Sequence, residues 1–159
     1  MLQTGRRTLG VLVYLRRGEE VLLMHRRKEP NLGLWIAPGG KVELDESPRE
    51  TALREMEEET GLRLHGLRWR GLCTEVSLTE DWQWLLFIYL AEQFEGELRA
   101  ERREGDLAWV PMADYLAGRL PMPQADRIFA PKVLDDAAPF FEAKFVYDAQ
   151  ERLVRWIAY

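Results

Sequence analysis

Apolar residues cluster in short runs along the first half of the chain, and these runs predict β-strands. Residues 8–16 predict a buried strand that forms a hairpin with a second strand at 21–25. A short strand is predicted at 34–37 and a longer one at 62–78, bent at its glycines. Residues 81–90 are apolar on both faces, which is typical of a central strand covered on both sides.

The second half of the chain alternates between charged and apolar segments. Residues 93–105 are charged and predict a loop or a frayed strand. The elements predicted beyond this segment are a strand at 106–110, a short helix at 111–116, a helix at 125–136 and a terminal hairpin of strands at 140–147 and 153–158. Pro131 is expected to kink or restart the helix that contains it.

Residues 47–61 predict an amphipathic helix whose two ends are marked by residue type. Ser47 is a good N-cap, Pro48 suits the first helical position, and Glu50 completes a capping box with Ser47. Gly61 suits the C-terminal cap. The residues expected to face a core lie on one side of this helix: Ala52, Leu53, Met56 and Thr60.

The same helix carries a dense group of glutamates. At 100° per residue, Glu55, Glu58 and Glu59 fall within an arc of about 100° beside the apolar side, while Arg54 and Glu57 are expected to project elsewhere. Like charges spaced four apart near the negative end of the helix dipole are unfavourable, so helix propensity does not explain the group. A divalent cation such as Mg²⁺ would explain it, because Mg²⁺ takes carboxylate and phosphate oxygens as ligands. The alternative interpretation is a solvated acidic face.

The residues around these glutamates resemble a known signature. Gly40, Glu46, Arg54-Glu55 and Glu58-Glu59, together with an apolar residue between the last two pairs and Gly61-Leu62 at the end, match the Nudix hydrolase box at nine specified positions over 23 residues. The resemblance implies an α/β fold, an α/β/α sandwich with a mixed β-sheet. It also implies divalent-cation-dependent hydrolysis of a nucleoside diphosphate linked to another moiety.

The resemblance assigns the metal site to the helix and to the glycines before it. Glu55, Glu58 and Glu59 look like metal ligands, and Gly40 is expected to contribute its backbone. Gly39 and Gly40 would let the backbone approach the metal and the substrate phosphates closely. The implied cofactor is Mg²⁺, with Mn²⁺ as the alternative.

Supporting and proton-transfer roles are assigned in the same way. Glu46 and Arg54 look like a partly buried ion pair that fixes the loop to the helix. In MutT-type members a further carboxylate, from a loop before a later strand, serves as general base or as an additional ligand, and Glu104 matches it. Glu58 and Glu55 are the other candidates for the base. The alternative interpretation of Glu104 is an exposed acidic residue in a loop, without a role in the reaction.

The segments flanking the box are similar to the 8-oxo-dGTP diphosphatase branch of the family. The resemblance covers three segments: 22–27, 104–111 and 123–131. Matched residues are Arg27, for substrate phosphate, and Asp126, for the purine edge; the alternative role of Asp126 is a helix N-terminal cap. Ile36 and Pro123 replace an asparagine and a tryptophan found in some members, so base recognition does not follow from the match.

Three functions fit these residues. The first is hydrolysis of a purine nucleoside triphosphate, ordinary or oxidised in the manner of 8-oxo-dGTP, to the monophosphate and pyrophosphate. The second is hydrolysis of a dinucleotide polyphosphate or a nucleotide sugar. The third is a nucleotide-sensing module without catalysis, but such modules typically lose box carboxylates and this chain keeps them all.

Composition narrows the setting in which this chemistry is expected. At 159 residues the chain predicts a single domain, 1–159, and either a monomer or a homodimer. The net charge of −5 argues against a nucleic-acid polymer as partner and is compatible with a small nucleotide substrate. The apolar run 9–15 is too short for a membrane span and no cleavage site follows it. With Cys73 as its single cysteine, the chain is expected in the reducing cytoplasm, without membrane contact.

Overall fold

The computed structural model describes residues 5–99 and 104–159. The strands in these ranges are β1 (Arg6–Arg17), β2 (Glu20–Arg26), β3 (Trp35–Ile36), β4 (Gly39–Lys41), β5 (Arg63–Leu64), β6 (Arg68–Ser77), β7 (Trp82–Ala91), β8 (Phe94–Glu95), β9 (Gly105–Pro111), β10 (Phe141–Tyr147) and β11 (Leu153–Ala158). The helices are α1 (Pro48–Thr60), α2 (Met112–Leu116) and α3 (Gln124–Leu134). None of the helices in the described ranges is long and apolar enough to cross a membrane.

Most of the strands join in one mixed sheet. Its order is β11-β10-β6-β7-β1-β2-β3, with β4 paired to β1 and β9 paired to β2. The β1–β7 and β6–β10 pairs are parallel, whereas β1–β2, β6–β7 and β10–β11 are antiparallel. Strands β5 and β8 form a separate small ribbon.

Two hydrophobic cores lie on opposite faces of the central strands, because successive strand residues point to opposite faces. Val13 of β1 belongs to the core that contains Ala52 and Met56 of α1. Its neighbour Tyr14 belongs to the core that contains Phe129 of α3. The predicted α/β fold with a mixed sheet between helices is therefore confirmed.

Three local predictions need correction. No strand was predicted at Gly39 and Gly40, but these residues form strand β4 and pair with Leu12 and Val11 of β1. The strand predicted at 62–78 is broken into β5 and β6, because Gly66 turns the chain with a φ of +86°. Helix α3 runs through Pro131 without a restart. The charged segment 93–105 contains the short strand β8, and its residues 100–103 lie outside the described part of the chain.

Helix α1 begins and ends where its caps predict. The Ser47 hydroxyl accepts a hydrogen bond from the Glu50 N–H at 3.2 Å. Gly61 adopts a left-handed conformation, with a φ of +80°, and its N–H donates to the Glu57 carbonyl. Ala52 and Met56 are fully buried beneath the helix, so they fix the rotation at which its glutamates project.

Candidate metal and catalytic site

The backbone of β4 lies directly against two glutamates of α1. A Cβ atom added to Gly40 would stand 2.3 Å from the Glu55 Cδ, so any side chain there would displace the Glu55 carboxyl group. A Cβ atom on Gly39 would stand 1.9 Å from the Val11 carbonyl oxygen, which would break the β1–β4 pairing. The glycines are therefore required by the close approach of strand, helix and glutamates.

Arg54 connects the loop before α1 to the glutamates on the helix. Its Nε and Nη2 donate to the two Glu46 carboxylate oxygens at 2.5 and 3.1 Å. Its Nη1 donates to Glu55 Oε1 and Glu58 Oε2, both at 3.1 Å. The ion pair expected between Glu46 and Arg54 is formed and is partly buried, with the side chains 13% and 26% exposed. The hydrogen bonds from Arg54 hold the pKa of Glu46 below its usual range.

Glu59 is the most perturbed acid on the helix. Its Oε2 atom is buried and has no hydrogen-bond partner within the described ranges. Burial, followed by the negative charge of Glu55, raises the pKa of Glu59 to about 8. A hydrogen bond from the Gly39 backbone acts in the opposite direction and lowers this pKa. Burying a carboxylate oxygen without a partner is costly, so the position of this atom fits coordination of a cation.

The residues at this position fit a hard divalent cation. Glu55, Glu58 and Glu59 supply carboxylate oxygens next to the exposed backbone of β4, which is the donor chemistry that Mg²⁺ prefers. Among the described residues, no three acidic, histidine or cysteine side chains already converge as a metal site. The Arg54 guanidinium holds the carboxylates of Glu55 and Glu58 through hydrogen bonds.

Glu104 lies at the same end of the molecule as the box glutamates. Its carboxylate accepts a hydrogen bond from Arg26 Nη1 at 2.9 Å. The negative charge of Glu104 raises the pKa of Glu59, and the positive charge of Arg26 lowers it, so both groups are within electrostatic reach of that acid. Glu104 is partly exposed, which leaves it accessible to a substrate.

Arg26 is a site residue that the sequence analysis missed. In β2, Leu22 and Met24 belong to the core beneath α1, and Arg26 continues this alternation toward the box glutamates. Arg27, the residue predicted to contact phosphate, lies beyond the end of β2 and is 56% exposed. It pairs with Asp106 at 2.5 Å. Side chains alternate between the two faces of β2, and this alternation is the sequence signal that distinguishes Arg26 from Arg27.

Asp126 belongs to α3 and is buried on the other face of the sheet, next to the core that contains Phe129. It is the third residue of α3, whose N-cap position is occupied by Pro123, so the alternative role as a helix N-cap is wrong. The Asp126 residue is 6% exposed. Its carboxyl group bonds to its own backbone N–H and to no other described residue, and burial raises its pKa well above the usual range. A carboxyl group so buried and so poorly partnered is a candidate for ligand contact.

Comparisons with known proteins agree with this arrangement. A family model described as "NUDIX domain" matches residues 6–133. The chain is 34% identical over 115 residues to an uncharacterised Nudix hydrolase, YvcI, of Bacillus subtilis, and the match covers 70% of each chain. It is 33% identical over 108 residues to the NAD-capped RNA hydrolase NudC of Mannheimia succiniciproducens, a match that covers 63% of this chain and 38% of that one.

Among solved structures, the fold is similar to that of a MutT protein from Bacillus halodurans. The TM-score is 0.84 and the sequence identity 30%, and the superposition covers 95% of this chain and 97% of that chain. The likeness therefore extends beyond the glutamate helix to both faces of the sheet.

Proposed function

Since the chain belongs to the NUDIX family, whose Nudix hydrolases act on pyrophosphate bonds in nucleotide-like substrates, we propose that it cleaves a purine nucleoside triphosphate to the monophosphate and pyrophosphate. The observation that carries the proposal is the buried, unpartnered Glu59 oxygen beside Glu55 and the glycine backbone of β4. Acids placed in this way are stable as anions only with a cation, and a cation is what the reaction requires.

The proposed metal ligands are Glu55, Glu58, Glu59 and the backbone of Gly40. When bound, Mg²⁺ (or Mn²⁺ as the alternative) would neutralise phosphate charge and acidify a water molecule. Arg54 holds Glu55 and Glu58 close to their working positions before the substrate arrives. Gly39 and Gly40 keep the backbone of β4 against β1 and Glu55, because a side chain at either position would collide with the Val11 carbonyl or the Glu55 carboxyl group.

Glu104 is the general base that the geometry favours. It lies outside the proposed set of metal ligands and remains within electrostatic reach of Glu59. Arg26 holds its carboxylate by a hydrogen bond, which keeps the group oriented. Glu58 and Glu55 are the other candidates for this role. Arg27, exposed just beyond the end of β2, is proposed to contact substrate phosphate, as its match to MutT-type members implies.

A purine substrate is favoured by the buried carboxyl group of Asp126. A buried carboxyl group of raised pKa can exchange hydrogen bonds with the C6 carbonyl and the ring N–H of a guanine-type base, and Asp126 has no partner in another described residue to satisfy it. The likeness to a MutT protein over 95% of the chain supports the same class. Similarity to an NAD-capped RNA hydrolase keeps hydrolysis of a dinucleotide as the second candidate.

A substrate panel tests the proposal. Purified protein with Mg²⁺ is incubated with dGTP, 8-oxo-dGTP, dCTP, ADP-ribose and a diadenosine polyphosphate, and pyrophosphate and phosphate are measured separately. We expect the highest kcat/KM for one of the purine triphosphates, with pyrophosphate as the product. A higher kcat/KM for ADP-ribose or the diadenosine compound would replace the proposed substrate class with the dinucleotide class.

Replacing Asp126 with Ala is expected to lower kcat/KM for purine triphosphates and to leave dCTP nearly unchanged. The reason is that a site built on hydrogen bonds loses affinity when a base edge is left without its partner. Kinetics on 8-oxo-dGTP, dGTP and dCTP measure the effect. Asp114→Ala is the control, because Asp114 lies on α2 and forms an ion pair with Arg119. An equal loss on all three substrates would show that Asp126 serves stability rather than base recognition.

A further inference from the structure

A second carboxyl group lies on the Asp126 side of the sheet, at Glu75 of β6. Two residues earlier on the same strand, Cys73 is buried in the core that contains α3, and the period of two places Glu75 on that same face. The Tyr147 hydroxyl, from the neighbouring strand β10, donates a long hydrogen bond to Glu75 Oε1 at 3.4 Å. The nucleotide-hydrolase signature does not include Glu75, so the proposed reaction leaves this acid without a role.

Aromatic rings surround this part of the sheet. Trp84 of β7 is directly opposite Glu75 in the antiparallel pair, so both side chains project from one face. Trp82 packs on Tyr147 with ring centroids 5.8 Å apart. Gly10 of β1 contributes no side chain beneath Trp84, since a Cβ atom there would stand 3.0 Å from the Trp84 ring. Partly exposed rings beside carboxyl groups are suited to a flat, hydrogen-bonding ligand.

Neither carboxyl group is compensated by a positive charge in the described ranges. Glu75 has the Tyr147 hydroxyl, and Asp126 has its own backbone N–H. Burial raises the pKa of Glu75 to about 7, and burial followed by the negative charge of Glu75 raises the pKa of Asp126. Two acids that interact in this way do not both ionise near neutral pH. The pair then offers an O–H donor and carboxylate acceptors at the same time.

A purely structural role for this pair is unfavourable. A buried acid beside a half-buried one costs stability, and apolar residues of the same size would pack there without that cost. The remaining titratable groups that act on the pair are Tyr147, Tyr14, Tyr115 and Cys73, and burial keeps the pKa of each well above neutral. Lys132 acts on Cys73 from α3. None of these groups forms an ion pair with Glu75 or Asp126 in the part of the chain that the structure describes.

We propose that Glu75 is a specificity-determining residue that binds a purine base together with Asp126. The two carboxyl groups would bond to the edge of a guanine-type base that carries the C6 carbonyl, an acceptor, beside the N1–H, a donor. The proposal rests on the proposed function for the identity of the ligand, because it takes a nucleotide as the molecule that reaches this face. The base would lie among Trp82, Trp84 and Tyr147, with its polar edge toward the two carboxyl groups.

Equilibrium binding tests the role of Glu75 without requiring catalysis. Isothermal titration calorimetry with dGMP, dCMP and pyrophosphate is applied to the parent, Glu75→Leu, Glu75→Gln and the control Glu142→Leu, an exposed glutamate on β10. We expect Glu75→Leu to weaken dGMP binding by about tenfold and to leave dCMP and pyrophosphate unchanged. Glu75→Gln should recover most of the dGMP affinity, because an amide carries both an acceptor oxygen and N–H donors. The control should bind all three ligands as the parent does.

The pH dependence gives a second readout, which a structural role would not move. Glu75 loses its proton as pH rises through about 7, whereas Asp126, whose pKa lies well above its usual range, keeps its own. The combination of an O–H donor and a carboxylate acceptor forms on this rise, so dGMP affinity of the parent should increase between about pH 6 and 8.5 relative to Glu75→Gln. A ratio of the two affinities that does not change with pH would overturn the proposal, even if Glu75→Leu fails to fold.

The remaining outcomes also decide the question. Equal losses on dGMP, dCMP and pyrophosphate, or no loss in Glu75→Leu, overturn the proposal, and so does failure of the parent to bind dGMP. Hydrolysis by the parent is measured separately on the substrate panel. An active parent whose Glu75→Leu variant keeps its dGMP affinity would reject the role of Glu75 and leave the proposed function standing. An inactive parent that binds dGMP through Glu75 would reject the function alone.

Discussion

Replacing Glu58 with Gln is expected to lower kcat by at least about 10²-fold, equivalent to about 2.7 kcal/mol of barrier lowering. Glutamine keeps the size of the side chain and removes the charge that would hold a divalent cation. Glu58 is exposed on α1 and hydrogen-bonded to Arg54, so the fold should persist. Steady-state kinetics with Mg²⁺, together with a thermal melt, measure both effects.

The neighbouring residue provides a matched control for this substitution. Glu57 is an exposed glutamate on the same helix turn, paired with Arg63 at 3.4 Å and pointing away from the site. Glu57→Gln should therefore keep the kcat of the parent. Near-normal turnover by Glu58→Gln, or equal losses in the two variants, would remove Glu58 from the site.

Replacing Arg54 with Ala should lower both stability and activity. The substitution removes the ion-pair partner of Glu46. It also removes the guanidinium group that holds the carboxylates of Glu55 and Glu58. We expect the melting temperature to fall by about 5 °C or more. We also expect kcat to fall, because the carboxylates would no longer be oriented toward the site.

Arg54→Lys separates charge from geometry. Lysine restores the positive charge but lacks the planar fork that reaches Glu46 through two nitrogens and the helix glutamates through a third. It should recover part of the stability and less of the activity. If Arg54→Ala melts at the temperature of the parent, the ion pair does not support the loop.

The sequence predicted the elements whose cause is local. Helix α1 begins after Ser47 and ends before Gly61 because capping depends on neighbouring residues alone. The family signature added the box glutamates, whose roles stay proposals. Strand β4 was not predicted, because Gly39 and Gly40 disfavour a strand by themselves and form one by pairing with β1.

The residues whose surroundings could not be predicted depend on which face of an element they occupy. Arg26 and Arg27 are adjacent in sequence, and the register of β2 decides which one points toward Glu59. A helix N-cap was the alternative role of Asp126, but α3 begins two residues earlier and Asp126 is buried in its first turn. Glu75 drew no attention in an apolar strand, because its burial depends on β10 and α3, far along the chain.

The central claim is that the glutamates of α1 hold a divalent cation that is required for pyrophosphate-bond hydrolysis. The most direct measurement is ³¹P NMR of dGTP incubated with the protein, first after removal of metal with EDTA and then after Mg²⁺ is restored. The account predicts no turnover without metal, and deoxyguanosine monophosphate with pyrophosphate once Mg²⁺ is present. Turnover that is unchanged by EDTA, or release of single phosphate from the γ position, would contradict it.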